Sequence, residues 1–163
     1  MEAHILIVDD DPAIRDSMYE FIQMSGYHAS MVSSAEEAIV LLQENMVEVV
    51  ITDIMLPGID GLELTDRIKK QHDVDVIVMT GYSGDYSYEE AISKGASDFV
   101  FKPVRFEELL LRLKRVLKER QLTRERVQML EKLKKLSITD GLTQLFNSRH
   151  FYTQLKNEID RSN

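Results

Sequence analysis

The chain has 163 residues, 44% of them hydrophobic, no cysteine and a formal net charge of −8, which suits one domain of ordinary size with an appendage and enough apolar content for a buried core. Lack of cysteine excludes disulfides and thiolate metal sites. No apolar run approaches the roughly 20 residues that span a bilayer, and the opening MEAHILIVDDD breaks on acids without a basic flank, unlike a secretory signal. The expectation is a cytoplasmic protein with no membrane partner. Charge is unevenly shared: residues 1–103 carry 20 acids and 6 bases (−14), residues 104–163 carry 8 acids and 14 bases (+6). Such a change of sign suggests two units with different jobs.

In chain order, ILIV (5–8) is a short apolar run of strand type. A helix follows, with Asp11 as N-cap, Pro12 at its first position, Ile14, Met18, Phe21 and Ile22 at helical spacing, and Gly26 as its stop. Ala29 to Val32 predicts a second strand, and SAEEAIVLLQENM a second helix capped by Ser34. VEVVITD (47–53) is a strand ending in an acid, with Pro57 and Gly58 as turn residues after it. LELTDRIKKQH reads as a helix, DVIVMTG (75–81) as a strand, YSYEEAISKG as a helix and SDFVFKP (97–103) as a strand. Strands alternating with helices imply an α/β fold, a doubly wound parallel sheet covered on both faces. Its strands are expected to be apolar throughout, as doubly covered strands are.

The strand ends carry the chemistry. Asp9, Asp10, Asp53, Thr80 and Lys102 all fall at the C-terminal end of a predicted strand. That edge of an open α/β sheet is where ligands bind. Neighbouring carboxylates raise each other's pKa. Asp9 and Asp10 tolerate each other if a divalent cation sits between them and Asp53, and acids without thiol or imidazole partners suit a hard ion such as Mg²⁺. Asp11, directly before Pro12, is expected to be a cap instead.

ILIVDDD, VVITDIMLPGIDG, VIVMTG and KGASDFVFKP, in this order and spacing, resemble the receiver domain of bacterial two-component response regulators (CheY-like) over residues 1–122. The resemblance implies a flavodoxin-like five-stranded sheet of order 2-1-3-4-5. It implies that Asp53 accepts a phosphoryl group from a sensor histidine kinase or phosphotransfer protein. Mg²⁺ would be held by Asp10, Asp53 and the backbone carbonyl of Met55, with Asp9 acting through a bound water. Thr80 and Lys102 would each contact a phosphoryl oxygen, a cis Lys102–Pro103 bond would aim Lys102 at the pocket, and Phe99 would be the aromatic switch. Met55 and Tyr82, two residues past Asp53 and Thr80, could screen an acyl phosphate from water or simply pack.

From Phe106 onward no glycine or proline interrupts FEELLLRLKRVLKERQLTRERVQMLEKLKKLS, so the last receiver helix is expected to run on. Leu109, Leu113 and Val116 form an early stripe, read as both core and partner-facing. Leu122, Met129, Leu133 and Leu136 then recur at heptad-like spacing, with Arg126 intruding, which predicts a weak coiled-coil-like linker over 118–137. A homodimer through residues 86–117 and this linker is expected, because the mixed charges of that face suit a two-fold contact. Next, SITDGLTQLFNSRHFYTQL resembles the opening of GGDEF-type diguanylate cyclase domains, matching at Asp140, Leu142, Thr143, Leu145, Asn147 and Arg149 and departing at Gln144 and Ser148. Residues 138–163 hold neither the metal-binding aspartate nor the GGDEF signature, so the chain is expected to be a fragment, itself no cyclase, of a parent that makes cyclic di-GMP. The alternative output is DNA binding or a partner protein. Against a nucleic-acid partner, the basic helix has no helix-turn-helix signature and no aromatic interleaving.

Overall fold

A computed structural model of the chain describes residues 2–81, 88–138, 153 and 155–161. Five strands alternate with five helices: β1 (His4–Val8), α1 (Pro12–Met24), β2 (His28–Val32), α2 (Ala35–Glu44), β3 (Val49–Asp53), α3 (Gly61–Gln71), β4 (Asp75–Thr80), α4 (Tyr88–Ser93), β5 (Asp98–Phe101) and α5 (Phe106–Ile138). The strands form one parallel sheet in the order β2-β1-β3-β4-β5, the flavodoxin-like arrangement expected for a receiver. In register, Val8 stands opposite Thr52, Asp53 opposite Met79 and Thr80 opposite Phe101, so the strands end together at one edge.

Side chains alternate between the two sheet faces. Leu6, Val8, Val50, Val76 and Val78 pack with Ala38 and Leu42 of α2, Leu64 and Ile68 of α3 and Ala91 of α4. Ile5, Ile7, Val49, Ile51, Ile77 and Met79 pack on the other face with Met18 and Ile22 of α1 and Leu109, Leu113 and Val116 of α5. Each such aliphatic side chain contributes roughly 1.5–3 kcal/mol when fully buried. Leu109, Leu113 and Val116 are at most 4% exposed, so they belong to this core and are not partner-facing as well.

The strands are not apolar throughout. β3 is buried at every residue, but β2 and β5 alternate with partly or fully exposed positions. These two are the sheet edges, where helices cover only part of each strand.

Helix ends follow the local chemistry. The Asp11 carboxylate accepts the Ala13 N–H at 3.0 Å, Ser34 Oγ accepts from Glu37 at 3.2 Å and Asp60 accepts from Glu63 at 2.8 Å. Each side chain replaces a carbonyl that the first turn lacks. Gly26 takes a φ of 96° after α1, a conformation that costs glycine little. α5 contains 33 residues, about 50 Å of helix. The chain divides into two compact units, Met1–Lys118 and Glu119–Asn163. Among the described residues no helix is long and apolar enough to cross a membrane.

Candidate functional site

The β1–α1 turn sets the first two acids. Asp9 is fully buried at the end of β1, and its Oδ1 accepts the Asp11 N–H at 2.9 Å. The carbonyl of Asp9 accepts from Arg15 Nη1 at 3.1 Å, which ties the turn to the first helical turns of α1. Asp10 is exposed. Asp53, 5% exposed, ends the central strand, and its Oδ1 accepts the Met55 N–H at 3.1 Å. The remaining oxygens of the two buried acids meet one cation: Lys102 Nζ lies 2.6 Å from Asp53 Oδ2 and 3.3 Å from Asp9 Oδ2.

Burial pushes the Asp9 carboxyl above its usual value. The Asp11 N–H and Lys102 oppose that shift, while the charge of Asp53 adds to it. Burial alone would lower the Lys102 ammonium, but its bond to Asp53 and the charges of Asp53 and Asp9 win and hold it above the ordinary lysine range. Lys102 is therefore a fixed positive charge between two carboxylates.

One carboxylate oxygen each from Asp9, Asp10 and Asp53 lie within 4.8 Å of one another. A set of hard oxygens with one member open to solvent fits a divalent cation of the Mg²⁺ type, which keeps several of its waters. Lys102 already neutralises part of this charge, so any such ion shares the acids with it.

Thr80 closes β4. Its carbonyl accepts the Lys102 N–H at 2.7 Å, while its hydroxyl donates to Gly81 O at 3.2 Å. To reach a phosphoryl oxygen, that hydroxyl must exchange this local bond. The Lys102–Pro103 peptide is cis, as the receiver resemblance implied. Phe99 is half-buried on β5, stacked edge-on against Phe101 with centroids 5.0 Å apart. Met55 is 61% exposed beside the pocket. Tyr82 and the matches between Asp140 and Arg149 lie outside the described residues.

Two supports were missed in the sequence. A Cβ on Gly61 would lie 2.1 Å from the Asp53 carbonyl oxygen and 2.8 Å from Ile54 Cα, so only glycine lets α3 start this close to the end of β3. The Gly61 N–H donates to Ile54 O at 2.9 Å across that contact. A signal existed, a glycine directly after the capping Asp60, but the clash partner is backbone. The second support is Glu36 of α2, whose Oε1 accepts the Ile59 N–H at 3.2 Å and so tethers the loop after Asp53. Gly58 passes beneath it at φ 80°, where an added Cβ would sit 2.7 Å from the same oxygen.

Comparisons with known proteins agree with this geometry. Residues 5–114 match the family model described as the response regulator receiver domain. Over 132 residues the chain is 36% identical to a cyclic di-GMP phosphodiesterase of Thermotoga maritima, covering 80% of this chain and 35% of that one. It is 33% identical over 114 residues to the transcriptional regulatory protein AfsQ1 of Streptomyces coelicolor, covering 70% and 51%. The chain thus spans about a third to a half of the curated relatives it matches. Among solved structures, a response regulator of Chloroflexus aurantiacus superposes with a TM-score of 0.67 at 30% identity, covering 72% of this chain and 99% of that one. NtrX of Brucella abortus superposes with a TM-score of 0.73 at 30% identity, covering 85% and 35%. A five-stranded 2-1-3-4-5 sheet with clustered acids and a lysine at its C-terminal edge, matched by the family model over most of the chain, makes this protein a member of the response regulator receiver domain family of two-component systems.

Proposed function

We propose that Asp53 is the phosphoacceptor and that this chain is the input module of a cyclic di-GMP-signalling response regulator. The observation that carries the first part is the Asp53 carboxylate, buried at the end of the central strand and held 2.6 Å from Lys102 Nζ. A carboxylate oxygen of Asp53 attacks the phosphorus of a phosphohistidine on a sensor kinase or phosphotransfer protein. The new O–P bond forms as the P–N bond breaks, and the imidazole keeps the electron pair. Two anions meet in this step, so catalysis is mainly positioning and charge neutralisation. Lys102 supplies a fixed cation. Asp10, Asp53 and the Met55 carbonyl would hold Mg²⁺, with Asp9 acting through water; when bound, the ion neutralises phosphoryl charge. Thr80 turns its hydroxyl to a phosphoryl oxygen, and Phe99 follows inward as the switch.

The output rests on two supports: the resemblance of residues 138–163 to a GGDEF opening, and similarity over 132 residues to a protein named as a cyclic di-GMP phosphodiesterase. Receiver 1–122, linker 118–137 and output start 138–163 then act in series, with a homodimer through residues 86–117 and the linker bringing two outputs together. A second reading, control of transcription, is favoured by the likeness to AfsQ1.

Incubation with acetyl phosphate and Mg²⁺ should add one phosphoryl mass, and Asp53→Asn should abolish it. Persistence of that mass in the variant overturns the assignment. Cyclic di-GMP synthesis by the full-length protein, rising on phosphorylation, supports the output reading; salt-sensitive DNA binding without it favours the second.

A further inference from the structure

The face outside the pocket contains an arginine in an unusual setting. Arg112 of α5 donates from Nη1 to Asp98 Oδ1 at 2.8 Å, and from Nη2 and Nε to Glu108 Oε1 at 3.1 and 3.3 Å. Its guanidinium carbon also lies 5.8 Å from the centroid of the Phe99 ring. That is within reach of a cation–π attraction. The same Asp98 Oδ1 accepts the backbone N–H of Phe99 at 2.8 Å. One carboxylate oxygen therefore holds both the backbone of Phe99 and the cation that lies over its ring.

We infer that Arg112 is a latch: a positioning residue that holds the Phe99 ring in its present half-buried place and opposes the phosphorylated state. The inference rests on the reading of Phe99 as the switch. Moving the ring toward the vacated Thr80 side takes it away from the guanidinium, and the attraction is lost. The pairs with Asp98 and Glu108 keep Arg112 in place while the ring leaves, because both partners belong to the same β5–α5 edge. Arginine suits the role better than lysine: its planar fork can bond two carboxylates and still present a flat face to an aromatic ring. The latch also ties the ring to α5, so the position of Phe99 is felt by the helix that extends to Ile138.

A contact present in only one of two states shifts their balance by its own strength. Its removal raises the population competent for the phosphoryl mimic and tightens apparent affinity in proportion. For a half-exposed cation–π contact this is about two- to fivefold.

Beryllofluoride affinity at fixed Mg²⁺ is the measurement, made on the wild type, Arg112→Gln, Phe99→Leu and the double variant. Arg112→Gln should tighten it about two- to fivefold, and Arg112→Lys, which keeps the charge without the fork, should fall between. In the Phe99→Leu background the Arg112→Gln step should have no effect. Unchanged or weakened affinity in Arg112→Gln overturns the latch. An equal gain in the Phe99→Leu background also overturns it, because Arg112 would then act through its ion pairs alone. NMR of labelled phenylalanine separates the two readings. A Phe99 ring that shifts with beryllofluoride while Arg112→Gln leaves affinity unchanged sinks only the latch; a ring that does not shift sinks the switch and the latch together.

Discussion

Lys102 Nζ bridges Asp53 Oδ2 at 2.6 Å and Asp9 Oδ2 at 3.3 Å, so one ammonium occupies the charge that a divalent cation also seeks. The two cations repel while both are useful to a phosphoryl group. Replacing Lys102 with methionine should therefore separate two properties that are normally lost together. Mg²⁺ affinity should rise about three- to tenfold by calorimetry, since a like charge bound to the same acids is gone. The phosphorylation rate should fall by about a hundredfold, the usual cost of losing one fixed stabilising group. Weaker Mg²⁺ binding in the variant would mean that Lys102 organises the acids rather than competing for them.

Gly61 tests whether the close approach of α3 to β3 matters. An alanine Cβ would strike the Asp53 carbonyl oxygen and Ile54 Cα, both backbone atoms with no rotamer to yield. Gly61→Ala should cost about 1–3 kcal/mol through forced backbone shifts, lowering Tm by roughly 5–15 °C. Any folded fraction should also phosphorylate slowly, because the shift falls on Asp53, the proposed acceptor. A variant with wild-type Tm and rate would show that the turn relaxes freely.

Glu36 gives a pH dependence with a defined sign. Its carboxyl is held below the ordinary 4.5 by its own backbone N–H first and then by that of Ile59. A depressed folded pKa contributes stability that is present above the unfolded value and is lost as pH falls through the folded one. Hydrogen-exchange protection of the Ile59 amide should be steady from pH 7 to about 5 and drop below 4.5. Glu36→Ala should lack the drop and lower Tm by about 1–2 °C at pH 5 to 7 but not at pH 3.5. Equal protection of Ile59 at pH 3.5 and pH 7 would show that the tether does not hold the loop.

Much of the site is legible in the chain because β1, β3 and β4 are apolar runs that stop on a polar residue and the short apolar stretch of β5 runs into Lys102. Asp9, Asp53, Thr80 and Lys102 are found that way, and sheet topology alone brings them to one edge. Asp11 announces itself as a cap by standing before Pro12, and the length of α5 by its lack of glycine and proline. What the pattern hides is contact across the chain. The bond from Ile59 to Glu36 joins residues 23 apart, and the clash at Gly61 depends on a carbonyl eight residues earlier. The edge strands β2 and β5 misled the apolar expectation because position in the sheet, which no local window contains, decides how much of a strand is covered. The stripe of Leu109, Leu113 and Val116 looked two-sided for the same reason: its partner is the sheet itself.

The second half of α5 carries a different stripe, and its solvent exposure sets the last prediction. Leu122, Met129, Leu133 and Leu136 are 43%, 67%, 57% and 76% exposed in the single chain, at the spacing of a coiled-coil seam. A polar helix with an exposed apolar stripe gains most from a second copy of itself. Phosphorylation at the proposed acceptor, Asp53, adds about −1.5 to −2 charge. If the signal leaves through the β5–α5 face, beryllofluoride should strengthen self-association in analytical ultracentrifugation. Leu133→Asp should weaken the dimer about a hundredfold or more, since each of the two copies loses a leucine whose burial is worth roughly 1.5 kcal/mol or more, and it should leave Mg²⁺ binding and phosphorylation unchanged. A monomer–dimer constant that ignores beryllofluoride sinks dimerisation as the output step. A dimer complete without the mimic, yet still broken by Leu133→Asp, would mean that phosphorylation rearranges a standing pair through the seam.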